Sequence, residues 1–188
     1  MKTSRLLNTR ILGIDPGTNA LGYGLIDIDD NGAKVLDAGT IRLSGFELHQ
    51  LKLREIFLQL QDVIETYLPA VLAIEAPFYG KNVQSMLKLG RAQGVAIAAG
   101  ITMGLEIVEY SPKKVKQSVT GNGNAAKEQV AAMLVNLLGS HVRGETLDAT
   151  DALAVAYCHF QHTNGIFLPS ANAQSWKQFV RDNPDRIS

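Results

Sequence analysis

The spacing of apolar and polar positions changes several times along the chain, and each change marks a new element. Arg10-Ile-Leu-Gly-Ile-Asp15 is a short apolar run closed by an acid, the pattern of a buried strand. Pro16-Gly-Thr-Asn19 follows as a turn. Ala20 to Ile28 is rich in β-formers, and Asp29-Asp-Asn-Gly32 is a strong turn signal. Lys34 to Leu43 then reads as a third strand, which completes an antiparallel meander. From Glu47 to Leu68 the period becomes helical: Leu51, Ile56, Leu60, Val63, Ile64 and Tyr67 recur on one face, and Pro69 ends the helix. Ala70 to Glu75 is apolar on both faces, which predicts a central, parallel fourth strand.

Asn82 to Met103 reads as a helix with small residues on one side, and Leu105 to Tyr110 as the fifth strand. Ser111-Pro112 supplies an N-cap followed by proline at the first helical position. Gly121-Asn-Gly-Asn124 is a loop, and Ala125 to Leu138 and Thr146 to Gln161 are the last two helices. The order βββαβαβαα predicts an α/β domain, a five-stranded mixed sheet flanked by helices.

In such a sheet the first and fourth strands are central neighbours. Their carboxyl ends then coincide and place Asp15 beside Glu75, at the edge where ligand sites usually form. Asp148 and Asp151 are three apart near the start of the last helix and share one face. That helix need only pack across the edge to bring four acids together. A carboxylate ending a buried strand loses hydration unless a cation or hydrogen bond offsets it. Four such acids suit two divalent ions about 4 Å apart, the arrangement that activates water and stabilises the leaving oxygen in phosphodiester hydrolysis. Each acid also has a plainer role open to it: a loop cap for Asp15, an ion pair for Glu75, and helix-dipole acids for Asp148 and Asp151.

Length and charge refine this picture. The 188 residues favour one domain, over residues 1–164, with residues 165–188 as a polar tail that Trp176 and Phe179 could dock. The single Cys158 excludes an internal disulfide, and neither a signal peptide nor a membrane-spanning run is evident, so a cytoplasmic protein is expected. Net charge is zero, but its distribution is uneven. Lys81, Lys88, Arg91, Lys113, Lys114, Lys116 and Lys127 fall between Pro77 and Lys127, opposed only by Glu106 and Glu109. A basic stretch beside an acidic site suits an anionic substrate held through its backbone; a solvated helix face is the alternative. Phe78-Tyr79 precede Gly80-Lys81 and could stack on bases. Lys127 follows a glycine-rich loop and could meet a phosphate. His49, His141, His159 and His162 show no ligand spacing.

Several stretches together resemble the RuvC-type Holliday-junction resolvases. They are Ile11-Leu-Gly-Ile-Asp-Pro-Gly-Thr18 with Gly22-Tyr-Gly24, Ala73-Ile-Glu-Ala-Pro-Phe78 with Lys81-Asn82, and Leu87-Lys-Leu-Gly90 with Gly94-Val-Ala-Ile97. Val115-Lys-Gln117 with Gly121-Asn-Gly123, and Asp148-Ala-Thr-Asp-Ala-Leu153, complete the set. The resemblance implies an RNase H-like fold, a homodimer, and Mg²⁺-dependent cleavage of four-way DNA junctions by symmetric paired nicks. Two Mg²⁺ per site are implied, with Mn²⁺ able to substitute. It also implies RuvA and RuvB as partners. The family's acidic tetrad falls on Asp15, Glu75, Asp148 and Asp151, where some members carry histidine at the third position. Its junction-contacting phenylalanine falls on Phe78, and its basic positions on Lys116 and Lys127; Tyr79, Lys81, Asn82 and Lys114 are the further DNA-contacting candidates. Three other readings use the same residues: an actin- or Hsp70-like ATPase, an RNase H-type RNA nuclease, and a junction-binding module without catalysis.

Overall fold

A computed structural model describes residues 9–76, 82–139, 142 and 145–164. The chain runs β1 (Thr9–Asp15), β2 (Ala20–Asp29), β3 (Gly32–Arg42), α1 (His49–Tyr67), β4 (Val71–Glu75), α2 (Val83–Thr102), β5 (Glu106–Tyr110), α3 (Pro112–Thr120), α4 (Lys127–Leu138) and α5 (Leu147–Thr163). The sheet order is β3-β2-β1-β4-β5. β1 pairs antiparallel with β2 and parallel with β4, and β4 pairs parallel with β5. The expected meander, the central β1–β4 pair and the mixed five-stranded sheet are all present. Helix ends differ from the sequence reading by one to two residues, because capping residues carry the periodic pattern without being helical. Thr146 is such a cap, its side chain accepting from Ala149 N, while Ser111 caps α3 as expected and accepts from Lys114 N. Residues 165–188, including Trp176 and Phe179, lie outside the described residues.

Both faces of the sheet are covered, and alternation along each strand sorts the core into two layers. Leu12 and Ile14 of β1, Leu21 and Leu25 of β2, and Leu72 and Ile74 of β4 pack with Ile56, Leu60 and Ile64 of α1 and Ala92, Ala96 and Ala99 of α2. Ile11, Ile26, Ile28, Val71 and Ala73 point the other way, toward α3, α4 and α5. Burying each large aliphatic side chain contributes roughly 1.5–3 kcal/mol. α5 is the most enclosed helix: every residue from Ala152 to Gln161 is buried.

α5 reaches that depth because β1 and β2 present no side chain beneath it at three positions. A Cβ placed on Gly13 would lie 2.2 Å from the Ala152 carbonyl oxygen and 2.6 Å from Ala156 N. One on Gly22 would lie 1.9 Å from the Asp148 carbonyl oxygen, and one on Gly24 2.8 Å from Leu153 N. The helix backbone therefore rests directly on the strand backbone over a little more than two turns. Gly100 plays a smaller part on the opposite face, where a Cβ would meet Ile107 and Leu72 side chains at 2.8 and 2.9 Å.

Candidate active site

The strand alternation that sorts the core also aims the acids. Ile11 and Gly13 face α5, so Asp15, two residues on, faces α5 too; Val71 and Ala73 set the same direction for Glu75. Ile14 pairs with Ile74 as the last step of the parallel β1–β4 ladder, leaving Asp15 and Glu75 side by side at the carboxyl edge. On its other side Asp15 pairs with Gly22, the residue on which the Asp148 carbonyl rests. The first turn of α5 thus lies beside Asp15. That turn is held by Thr146, whose Oγ1 accepts from Ala149 N at 3.2 Å and shares a 2.5 Å hydrogen bond with Thr40 Oγ1 of β3. Asp151 follows Asp148 by three residues on α5.

The electrostatics report the crowding. Asp15 is pushed up from 3.8 to about 7, first by burial, then by repulsion from Glu75, Asp151 and Asp148. Glu75 is pushed up from 4.5 to about 7 by burial and by Asp151. Lys127 opposes both shifts, and Lys116 also opposes that of Glu75. The Lys127 Nζ sits 2.5 Å from Asp151 Oδ2, and this ion pair holds the ammonium above its ordinary range. The four predicted acids and Lys127 therefore converge electrostatically, with Lys116 close enough to act on Glu75.

The donor set is composed entirely of carboxylate oxygens, the ligands of hard divalent cations such as Mg²⁺ and Mn²⁺. A divalent cation would offset the burial and repulsion that raise Asp15 and Glu75. The residues fit such an ion in chemistry, and the β1–β4 pairing sets Asp15 and Glu75 side by side. Among the described residues, however, no three acidic, histidine or cysteine side chains stand close enough together to hold one as they are.

The remaining candidates divide. Lys114 Nζ lies 4.9 Å from the centre of the Tyr110 ring, a cation–π contact at the end of β5. Asn82 is the N-cap of α2, its Oδ1 accepting from Ser85 N at 3.1 Å. Phe78, Tyr79 and Lys81 lie outside the described residues. His159 is buried, bonded to Tyr110 Oη at 2.8 Å, and pushed down to about 4 by burial and then by His162. Sequence reasoning overlooked Thr40 and the role of the glycines. The alternation Gly22-Tyr-Gly24 inside a β-rich run was the available signal, since glycine in a strand often marks close backbone approach.

The raised carboxyls make a stability prediction for the metal-free protein. An acid whose folded-state pKa exceeds its unfolded value favours folding when protonated and loses that advantage as pH rises from near 4 through about 7. His159 works in the opposite sense below its ordinary value of 6.5, so the test is a difference. Relative to wild type, Asp15→Asn gains stability progressively across that window, reaching on the order of 1–2 kcal/mol after allowance for solvent screening. Thermal melts of both proteins in chelator check it; a constant or shrinking difference would contradict the crowded site.

Comparison with known proteins agrees with this geometry. Residues 11–159 match the family described as crossover junction endodeoxyribonuclease RuvC. A protein of that description from Cytophaga hutchinsonii is 52% identical over 94% of this chain and 87% of its own length. One from Porphyromonas gingivalis is 48% identical over 94% of this chain and 96% of its own. The structure of Thermus thermophilus RuvC in complex with a Holliday junction substrate superposes with a TM-score of 0.75 at 28% identity, covering 85% of this chain and 97% of that one. The chain belongs to the RuvC family of crossover junction endodeoxyribonucleases.

Proposed function

We propose that this protein is a divalent-cation-dependent endonuclease that resolves four-way DNA junctions by paired nicks on opposed strands. The observation that carries the reading is the meeting of Asp15 and Glu75, both pushed up to about 7, under the acidic first turn of α5. Asp15, Glu75, Asp148 and Asp151 would hold Mg²⁺, two ions per site, with Mn²⁺ as a substitute. The bound ions supply an activated water and charge stabilisation at the leaving oxygen. Around them this chain's own groups bind and orient. Lys116 and Lys127 offer ammonium groups to the phosphates flanking the cut. Lys114 and Asn82 are further candidates for phosphate contacts, and the sequence between β4 and α2 adds Lys81 for phosphates and the rings of Phe78 and Tyr79 for unstacked bases. Burial of Asp15 and Glu75 sets both carboxylates against the sheet, so their oxygens keep fixed directions as substrate arrives. RuvA and RuvB, which drive branch migration, are the partners expected from the family. None of the described helices is long and apolar enough to cross a membrane, which suits the proposed cytoplasmic setting.

The site requires magnesium or manganese and a junction. With Mg²⁺, a synthetic mobile four-way junction is nicked on opposed strands, while Asp15→Asn binds the junction and cuts it about 100-fold more slowly or less, a loss of roughly 2.7 kcal/mol or more in the barrier. Gel analysis at nucleotide resolution, beside an RNA–DNA hybrid of equal length, checks this. Cleavage in excess chelator, or preference for the hybrid, would overturn the reading.

Symmetric nicking calls for two sites, and α2 offers the surface for a second copy. Val83, Leu87, Gly90, Gly94, Ala98 and Ile101 follow one another at spacings of three and four along the helix. Val83, Leu87 and Ile101 are 66%, 53% and 60% exposed, and neither glycine meets any atom within 4 Å of its absent Cβ. Apolar residues flanking glycines let two helices approach closely. Wild type sediments as a dimer and Leu87→Glu as a folded monomer; an unchanged dimer would place the contact elsewhere.

A further inference from the structure

The ammonium of Lys127 occupies the place where positive charge is most needed. It bonds Asp151 at 2.5 Å and lowers the proton affinity of both Asp15 and Glu75, so one cation serves three acids. We propose that Lys127 is a built-in competitor of the divalent cation: it neutralises the acid cluster in the metal-free protein and must leave Asp151 before an ion can be held there. This rests on the reading of the acids as a divalent-cation site and adds a role for Lys127 that precedes any contact with DNA.

Four features favour displacement over a permanent ion pair. The Lys127 side chain is 62% exposed, whereas Asp151 is 20% exposed, so the lysine can withdraw into water more readily than the acid. Lysine carries its charge on a flexible four-carbon stem, with no planar fork to lock it in place. Lys127 is the first residue of α4, where the helix dipole disfavours a cation, so little besides the acids retains it. The α4 start is itself fixed without that side chain, because Gln129 Oε1 accepts from Ala126 N at 2.9 Å. Withdrawal of Lys127 therefore leaves the helix intact.

A divalent ion brings twice the charge of the ammonium and can take oxygens from several carboxylates at once. It wins, but its apparent affinity is reduced by the work of removing Lys127. Deleting the ammonium should thus tighten metal binding in a protein that has no DNA present, although the same ammonium is expected to aid the reaction when DNA is bound.

The test is Mn²⁺ titration followed calorimetrically and by loss of the free-ion electron paramagnetic signal, without DNA. An alkaline buffer keeps protons from competing for the buried carboxyls, and melting curves verify folding of every variant. Lys127→Met and Lys127→Gln are expected to bind Mn²⁺ about tenfold more tightly than wild type, as removal of one charge from a half-buried cluster implies. Lys127→Arg should stay near wild type, and Asp15→Asn should bind far more weakly. If Asp15→Asn weakens binding but Lys127→Met and Lys127→Gln bind no tighter than wild type, the competitor role is wrong and the acidic site stands. If wild type shows no saturable Mn²⁺ binding, or Asp15→Asn leaves it unchanged, the reading of the acids itself fails, and the competitor role with it.

Discussion

Everything at the carboxyl edge depends on a helix lying directly on strand backbone. Gly13, Gly22 and Gly24 leave no room for a Cβ beneath α5, and the shortest of those approaches, 1.9 Å, is at the Asp148 carbonyl. Ordinary side chains at these three positions would hold the helix farther from the sheet and from the strand-end carboxylates. Close seating removes that gap. It also explains why α5 is buried along most of its length, and why Thr40 reaches its cap residue Thr146.

The price of this closeness is charge. Burial raises Asp15 and Glu75 to about 7, and the nearness of Asp151 adds to both shifts. The burial that crowds these carboxyls would also strengthen their attraction for the proposed cation, since removal of water strengthens every interaction inside the site. Lys127 offsets part of the repulsion without filling the site, and it enters from α4, an element independent of the sheet edge. If the acids hold an ion as proposed, fold stability and ion binding are linked through them.

Much of this was legible in the chain. Continuous apolar runs at Arg10–Asp15 and Ala70–Glu75 marked the two central parallel strands, and their terminal acids fell at one edge as expected. The i, i+3 pair Asp148 and Asp151 lay on a helix whose cap, Thr146, was visible as a residue type. What periodicity could not convey was distance across the fold. Gly22 and Gly24 read as weak points of a strand until α5 is seen above them. Thr40 and Thr146 are 106 residues apart, and nothing local joins them. Lys127 was visible as a basic residue after a glycine-rich loop, but a phosphate contact was the natural expectation for it, and its ion pair with Asp151 is a tertiary fact. The cap that Asn82 makes on α2 is local, and its residue type at the start of the helical pattern was the signal for it.

The most direct test of the glycine seat is the substitution Gly22→Ala, with Gly94→Ala on the exposed face of α2 as a control that meets no neighbour. The quantity to measure is the rise in melting temperature on adding saturating Mg²⁺. A methyl at Gly22 must push the first turn of α5 outward, so Gly22→Ala should lower the metal-free stability by about 1–3 kcal/mol and lose most of the Mg²⁺-induced rise. Gly94→Ala should retain the full rise. A Gly22→Ala protein with wild-type melting temperature and an undiminished Mg²⁺ response would show that the acids of α5 do not depend on that seat.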